Sequence, residues 1–208
     1  MADTTASWEA IRDEVTTHLQ RLIQFNTVNP PGNETPAAQY LADMARRDGI
    51  AAEVVESAPG RGNFVARIRG EGNSRPLLLM AHSDVVSVEP ERWDHDPFGG
   101  EVINGQVWGR GAVDTKDLVA CELMVMLLVQ RSGLQLDRDL IMATFADEET
   151  SGEYGASWMW RNRREMIDAE VAINEGGGNA IDTPQGLRFA LPAGITPASD
   201  LLPAIAGP

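Results

Sequence analysis

Cysteine is almost absent from this chain of 208 residues, which has only one, Cys121. A single cysteine excludes an internal disulfide and is typical of a protein kept in a reducing compartment. The chain also lacks any apolar run near the ~20 residues that a membrane-spanning helix needs. Its first residues, MADTTASWEAIRDE, include acidic side chains and no apolar core, so no secretory signal is expected. We therefore expect a cytoplasmic protein.

Basic residues are scarce relative to acidic ones. The chain has 17 Lys and Arg against 31 Asp and Glu, which gives a net charge of −14. Such a surface would repel phosphate groups, so neither nucleic acid nor an anionic membrane is an expected partner. Acidity of this kind most often serves only solvation. The positions of individual carboxylates therefore carry more information about function than their total.

The hydrophobic and charged fractions, 43% and 23%, are those of a soluble globular domain. Apolar residues at helical spacing predict four helices, at 7–25, 35–49, 118–131 and 154–166, with Thr35 as the cap of the second. Short apolar runs predict five strands, at 51–56, 63–69, 76–81, 139–146 and 169–174. Asn104-Gly105 predicts a hairpin turn. This alternation predicts a three-layer α/β/α fold, with a mostly parallel or mixed sheet and helices on both of its faces.

The C-terminal residues, 181–208, differ from the rest of the chain. They are rich in alanine and proline, and their last part has prolines at 192, 197, 203 and 208. Proline breaks helices and central strands, and no strand or helix period runs through this last part. We expect residues 181–208 to form an irregular tail.

Side chains that can bind a metal ion or transfer a proton follow the predicted apolar strands or the glycine-rich turn at 109–111. There are six of them: His82, Asp84, Asp114, Glu148, Glu149 and Glu175. In sheets of this class, ligands bind beside the carboxyl ends of the strands. We therefore expect these six side chains to converge at one edge of the sheet.

Each of these residues alone has an ordinary alternative explanation. Asp114 could simply cap a helix, Glu148 and Glu149 could begin a solvated helix, and Glu175 could be a turn residue. Converging carboxylates would repel one another, however, unless some bind protons or a cation lies among them. One neutral histidine with several carboxylate oxygens suits zinc, with manganese or cobalt as substitutes. So many acids indicate two metal ions that share a bridging carboxylate.

Five motifs follow one another along the chain: LLLMAHSDVV, the W-x-x-x-P-F of 93–98, GRGAVDTKD, DEETSG and INEGGG. Their order and spacing resemble the co-catalytic zinc hydrolases that include aminoacylase, acetylornithine deacetylase, succinyl-diaminopimelate desuccinylase and glutamate carboxypeptidase. The resemblance covers roughly residues 10–180. It implies a zinc-exopeptidase-like catalytic domain, of which residues 1–180 would be the N-terminal part.

The resemblance also implies which residues bind the two zinc ions. His82 and Glu175 would bind one ion, and Glu149 would bind the other. Asp114 would bridge both ions, next to a cis peptide bond to Thr115. Co²⁺ or Mn²⁺ are possible substitutes for zinc in such a site.

Two further residues would act without binding metal. By the resemblance, Asp84 would hydrogen-bond to His82 and fix its tautomer, and Glu148 would be the general base that takes a proton from a metal-bound water. The implied reaction is hydrolysis of an amide bond in an N-acyl amino acid or short peptide. His95 matches no ligand position, and we expect it to pack in a loop.

Members of this family continue beyond the matched region into a lid or dimerisation domain and a later histidine ligand, and no histidine follows His95 here. We therefore expect a truncated form with reduced or no activity, for which dimerisation is not expected. The alternative is a non-catalytic binding or interaction module that retains the half-fold. A nucleotide-binding α/β domain is disfavoured, because Gly109-x-Gly111 does not extend to G-x-G-x-x-G.

Overall fold

The computed structural model describes residues 7–175 in full and the backbone of 179–183 and 186–190. The helices of this part are α1 (Trp8–Gln24), α2 (Thr35–Arg47), α3 (Lys116–Ser132), α4 (Ala156–Asn162) and α5 (Arg164–Ile167). Its strands are β1 (Ala51–Glu56), β2 (Gly62–Ile68), β3 (Leu77–His82), β4 (Glu101–Ile103), β5 (Gln106–Trp108), β6 (Leu140–Phe145), β7 (Val171–Ile173), β8 (Asn179–Thr183) and β9 (Gly186–Ala190).

The main sheet has five strands in the order β1-β2-β6-β3-β7. The first two pairings, β1 with β2 and β2 with β6, are antiparallel, whereas β3 is parallel to both β6 and β7. The carboxyl ends of β3, β6 and β7 therefore meet at one edge of the sheet, and β2 begins at that same edge. The mixed sheet predicted from the sequence is confirmed.

Helices cover both faces of this sheet. On one face, α1, α2 and α3 bury a core that includes Leu41, Leu79, Leu123 and Met142. On the other face, Leu78, Met80 and Ile141 pack with residues of α4 and α5. Neighbouring residues of β3 thus enter opposite cores, as expected for a central strand that is buried on both faces. This arrangement confirms the three-layer α/β/α fold.

The predicted helix ends are right in one case and wrong in another. Ser7 caps α1, because its Oγ accepts a hydrogen bond from the Ala10 N–H at 3.2 Å. Thr35 is not the cap of α2. Glu34 is the cap residue, and the Thr35 hydroxyl instead donates to Glu56 Oε1 on β1. A contact with a distant strand has therefore replaced the local one.

The helix predicted over 154–166 begins later and is interrupted. Tyr154 belongs to a turn, because its N–H donates to Asp147 Oδ2 at 3.2 Å. The helix then starts at Ala156 and breaks at Arg163, whose φ of −144° and ψ of 37° are not helical. The result is two short helices, α4 and α5.

The irregular tail predicted for 181–208 is wrong for residues 181–183 and 186–190. They belong to β8 and β9, which pair antiparallel with Ile181 opposite Arg188. Such a ladder satisfies backbone N–H and C=O groups without requiring a hydrophobic period. Residues 191–208 lie outside the described part of the chain, and the domain boundary at 180 stays a prediction.

The longest described helices, α1 and α3, have 17 residues each. None of the described helices has both the length and the apolarity that a bilayer span requires.

Candidate metal centre

His82 is the last residue of β3, and its side chain is almost fully buried. Its Nδ1 lies 3.0 Å from the backbone oxygen of Asp84 and 3.4 Å from Asp84 Oδ1. Both neighbours can only accept hydrogen bonds, so Nδ1 carries the proton in the neutral ring and donates it. This arrangement leaves Nε2 as the nitrogen with an available lone pair, which is the state that a metal ligand needs.

Carboxylates from two other loops surround His82 Nε2. Asp114 Oδ1 lies 3.2 Å away and Glu175 Oε1 lies 3.3 Å away. These three residues offer ligand atoms that all lie within 4.8 Å of one another. We call them the His82 cluster. His82 is deeply buried while Asp114 is 69% exposed, so the cluster lies at the bottom of an opening to solvent.

The peptide bond between Asp114 and Thr115 is cis, as the resemblance implied. Gly111 lies just before it in the turn that leads into α3, with a φ of +83°. A Cβ at this position would contact Val85 and the Lys116 side chain. Glycine is thus required here, both by the backbone conformation and by the close approach of its neighbours.

The acid pair Glu148-Glu149 follows β6. Glu148 Oε2 lies 3.6 Å from His82 Nε2, beside the cluster. The carboxylate of Asp84 accepts the backbone N–H groups of both Glu148 and Glu149, each at 3.0 Å. Asp84 therefore holds His82 and the acid pair together. Among the described residues, Glu149 lies outside the His82 cluster, and its part in binding a second ion stays a prediction.

The electrostatics of the site are those expected where acids are in excess. Burial lowers the pKa of His82, but the hydrogen bonds that its ring donates to Asp84 and Glu175 outweigh this effect and raise the pKa to about 11. Burial raises the pKa of Glu148 and Glu149, and neighbouring carboxylates raise both further. A positive charge among these groups is strongly favoured. A divalent cation supplies such a charge, and an imidazole with carboxylate oxygens is a ligand set that zinc accepts.

A buried polar network behind the acid pair was not predicted from the sequence. Asn29, Glu34, Arg61 and Asp147 are all buried, and hydrogen bonds join them to one another. Asn29 and Arg61 stand in Asn-Pro-Pro-Gly and Arg-Gly segments, whose sequence signal was that of ordinary loops. Of the four, only Asp147 had a local signal of a role near the site, because it directly precedes Glu148.

Lys116 is a second residue that the sequence analysis missed. It is fully buried, and its Nζ donates to the backbone oxygens of Leu22 and Phe25 at 3.0 and 2.8 Å. Burial lowers the pKa of Lys116 to about 7, against the effect of nearby carboxylates. The lysine thereby attaches the start of α3, next to Asp114, to the end of α1. A lysine at the start of an apolar helix was the available signal.

His95 lies away from the cluster, as predicted. Its ring packs edge-to-face on Trp108, with 5.0 Å between ring centroids. Its Nδ1 is 3.8 Å from Glu101 Oε2, at the surface. The contact partners are those of a loop-packing residue.

The chain is similar to known proteins in both sequence and structure. Residues 78–187, more than half of the chain, match the sequence profile of peptidase family M20/M25/M40. The chain is 32% identical over 151 residues to N-formyl-4-amino-5-aminomethyl-2-methylpyrimidine deformylase of Bacillus subtilis (strain 168), covering 71% of this chain and 35% of that protein. It is 30% identical over 171 residues to aminoacylase-1 of Sus scrofa, covering 80% and 42%. The chain thus matches less than half the length of these relatives.

Among solved structures, the fold is similar to that of an M20 family metallo-carboxypeptidase, Sso-CP2 from Sulfolobus solfataricus. The TM-score is 0.69 at 23% identity, and the match covers 84% of this chain and 39% of that one. At this identity the likeness supports the fold. Together with the matched profile, it leads to one conclusion: the chain belongs to peptidase family M20/M25/M40.

Proposed function

We propose that this chain carries the hydrolytic site of a metal-dependent amide hydrolase. The observation that supports this most directly is the His82 cluster. An imidazole nitrogen with an available lone pair and two carboxylates converge at the carboxyl ends of parallel strands, where such sheets bind ligands. Membership of a peptidase family is consistent with that chemistry.

The residues divide into ligands and groups that handle protons. His82, Asp114 and Glu175 would hold one Zn²⁺ ion, and Asp114 with Glu149 would hold a second. When bound, zinc lowers the pKa of a water and polarises the substrate carbonyl. Glu148 would take a proton at its carboxylate and later give it to the leaving amine. Burial and neighbouring carboxylates raise its pKa, and a carboxylate with a raised pKa accepts a proton more readily.

The proposed substrate is an N-acyl amino acid or a short peptide. Two relatives are named as an aminoacylase and a deformylase, and both names denote removal of an acyl group. The net charge of −14 disfavours nucleic acid and anionic membranes as partners. A cytoplasmic location is consistent with the single cysteine. Residues 1–180 would be the N-terminal part of the catalytic domain.

We expect the chain by itself to turn over substrate slowly. Of the described residues, only Asp114 and Glu149 are proposed ligands of the second ion, and zinc sites usually have at least three protein ligands. The alternative is a binding module that holds metal but does not catalyse.

Zinc content and hydrolysis, measured on the same sample, test the proposal. The purified chain is loaded with Zn²⁺, and release of amino acid from N-acetyl amino acids and dipeptides is followed. We expect at least one bound zinc, and hydrolysis that Glu148→Ala abolishes without loss of zinc. Zinc binding without hydrolysis in the wild-type chain would favour the binding module. Hydrolysis that survives Glu148→Ala would refute the assigned base.

A further inference from the structure

A buried arginine lies behind the acid pair, away from the His82 cluster. Arg61 directly precedes β2 and is only 7% exposed. Its Nη2 donates to Glu34 Oε1 at 2.9 Å and to Asp147 Oδ1 at 3.1 Å. Its Nη1 donates to the backbone oxygen of Pro31 at 2.9 Å. One guanidinium thus holds together a loop before α2 and the turn after β6, and its planar fork allows several partners at once.

The surroundings of Arg61 are shaped to fit its guanidinium group. Gly32 has a φ of +79°, and a Cβ at that position would collide with the guanidinium carbon of Arg61. The ring of Tyr154 lies on another side, 5.1 Å from the same carbon. The arginine is therefore enclosed by residues from three segments, and its position is fixed.

Asn29 connects this arginine to the site. Its Nδ2 lies 2.8 Å from Asp84 Oδ2 and 3.0 Å from Asp147 Oδ1, so the amide can donate one hydrogen to each acid. Its Oδ1 accepts from Arg61 Nη1 at 3.3 Å. Asp84 in turn accepts the N–H groups of Glu148 and Glu149. A continuous chain of hydrogen bonds thus runs from Arg61 to the backbone of the acid pair.

Asp147 is the residue that needs this support. Its φ of +67° is left-handed, a backbone conformation that residues other than glycine rarely adopt. Its carboxylate accepts from Thr150 Oγ1 at 2.6 Å and Ser151 Oγ at 2.8 Å, in addition to Arg61 and Asn29. Glu148 follows directly, so the conformation of Asp147 decides where the Glu148 side chain points. Strain of this kind persists only where the surroundings hold it in place.

We propose that Arg61 and Asn29 are positioning residues of the hydrolytic site, which hold Asp147 and Asp84 so that Glu148 is directed at the His82 cluster. The role of Glu148 as base is that of the proposed function, on which this inference rests. Neither Arg61 nor Asn29 contacts the cluster itself, and both act through Asp147 and Asp84.

The same two strands offer a matched control. Arg67 of β2 donates its Nε to Asp139 Oδ2 at 2.7 Å, at the opposite end of the β2–β6 pair. The Arg67 and Asp139 side chains are 24% and 12% exposed, so this pair is also partly buried. Loss of Arg67 therefore removes an arginine–aspartate contact from the same strands but leaves the acid pair untouched.

Amide hydrogen exchange measured by NMR in the metal-free chain tests the positioning role without requiring activity. In Arg61→Gln, we expect the amides of Glu148 and Glu149 to exchange at least about 10-fold faster, as expected from losing a buried hydrogen bond to a charged group. The amides of Met142 and Ala143 in β6 should keep their wild-type rates. In Arg67→Gln, the amides of Glu148 and Glu149 should also keep theirs.

Two results of that experiment would overturn the inference. One is unchanged exchange at Glu148 and Glu149 in Arg61→Gln. The other is equal acceleration in the turn and in β6, which would assign Arg61 to general stability. If Arg61→Gln does not fold, Asn29→Ala provides the second variant, since it leaves the direct Arg61–Asp147 contact and removes the side chain that joins Arg61 and Asp147 to Asp84. The same acceleration at Glu148 and Glu149 is expected from it.

Hydrolysis separates this inference from the proposed function. If Glu148→Gln abolishes turnover, Arg61→Lys should lower kcat with little change in KM and with zinc affinity retained. An unchanged kcat in Arg61→Lys and Arg61→Gln, beside an inactive Glu148→Gln, would refute the positioning role alone. Turnover that does not depend on Glu148 would refute the proposed function, and the exchange rates would still decide whether Arg61 orders the acid pair.

Discussion

The antiparallel pair β2–β6 has an arginine–aspartate contact at each end, and the two ends differ in their balance of charge. At the end remote from the site, Asp139 accepts from both Arg67 and Arg69, at 2.7 and 2.8 Å, and from the backbone N–H of Gly70. Two arginines thus serve one aspartate. These contacts outweigh the effect of burial and lower the pKa of Asp139.

At the site end the ratio is reversed. Arg61 serves both Glu34 and Asp147, and Asp84 lies next to them. Burial raises the pKa of Glu34 to about 7 despite Arg61, whereas several hydrogen bonds lower the pKa of Asp147 to about 2. The remote end is thus neutralised by the chain's own side chains, and the site end is not. An excess of buried acids is relieved by a bound proton, as at Glu34, or by a cation.

The largest difference between the two ends should appear in catalysis. Glu148→Gln removes the proposed base at the site end, and general acid–base groups contribute about 10²- to 10⁴-fold to rate. We expect a loss of that size in kcat for an N-acetyl amino acid. Glu170→Gln is the control, because Glu170 pairs with Arg138 at the remote end of the sheet. Equal losses in both variants would remove the distinction.

Stability should differ next. Asn has nearly the shape of Asp and also tolerates a left-handed backbone, so Asp147→Asn is compatible with the turn. The change does, however, remove a negative charge beside the buried Arg61. We expect a loss of about 3 kcal/mol in the free energy of unfolding, against about 1 kcal/mol for Asp139→Asn at the less buried end. Urea titrations of both variants measure this difference. Similar losses would mean that the two ends are equally replaceable.

Metal affinity should distinguish His82, at the end of β3, from His95, in a loop. His82→Ala is expected to weaken Zn²⁺ binding at least about 100-fold, the upper end of what supporting residues contribute. His95→Ala should leave it unchanged, because His95 packs on Trp108. Competition with a fluorescent zinc chelator gives both affinities. Retained affinity in His82→Ala would contradict the proposed centre.

Glu34 at the site end and Asp139 at the remote end should also respond to pH with opposite sign. The pKa of Glu34 is raised from 4.5 to about 7, so the folded state binds its proton more tightly than the unfolded state. Its contribution to stability is complete below pH 4.5 and is lost as the pH rises towards about 7. Glu34→Gln should cancel this loss, which we expect to be about 2 kcal/mol.

Asp139 provides the opposite case. Its pKa is lowered from 3.8, so its contribution is present above that pH and is lost as the pH falls below it. Differences in the free energy of unfolding between wild type and each variant, measured across pH, isolate the two residues from other titrating groups. A difference between wild type and Glu34→Gln that does not vary with pH would contradict the proton assignment at the site end.

The smallest effect is expected from Arg67→Gln. Arg69 would still hold Asp139, and this remote end of the sheet is exposed enough for water to replace the lost contact. We expect a change of at most about 1 kcal/mol in the free energy of unfolding, and none in zinc affinity. A calorimetric melt with and without Zn²⁺ measures both.

Local sequence signals were sufficient for the sheet and for the residues that line its edge. The apolar runs 76–81 and 139–146 predicted two central strands, and His82 and Glu148 were predicted at the ends of such runs. These predictions hold because the apolar residues that bury a central strand lie next to one another in the sequence. His82, Asp114 and Glu175 converge at the sheet edge as predicted, and their roles as metal ligands stay a prediction.

Contacts between distant residues could not be predicted in this way. Threonine is a residue type that often caps helices, but the Thr35 hydroxyl donates to Glu56 on β1 instead. Arg61 and Asp147 are 86 residues apart in the sequence, and nothing near either one indicates the other. Their contact depends on β2 and β6 being neighbours, which is a property of the topology. The residues that position an active group are therefore harder to predict than the group itself.

The range of the Asn29 contacts has a consequence for the order in which the molecule can assemble during synthesis. Its hydrogen-bond partners Asp84, Asp147 and Thr150 lie 55, 118 and 121 residues later in the chain. When β1 to β3 have emerged from the ribosome, the nascent chain already exposes His82 and Asp84. Asp147 and Thr150, the later partners of Asn29, have not yet emerged. Contacts of such long range form late in folding. The proposed metal centre can therefore be completed only after the turn that follows β6, and then Glu175 after β7, have emerged.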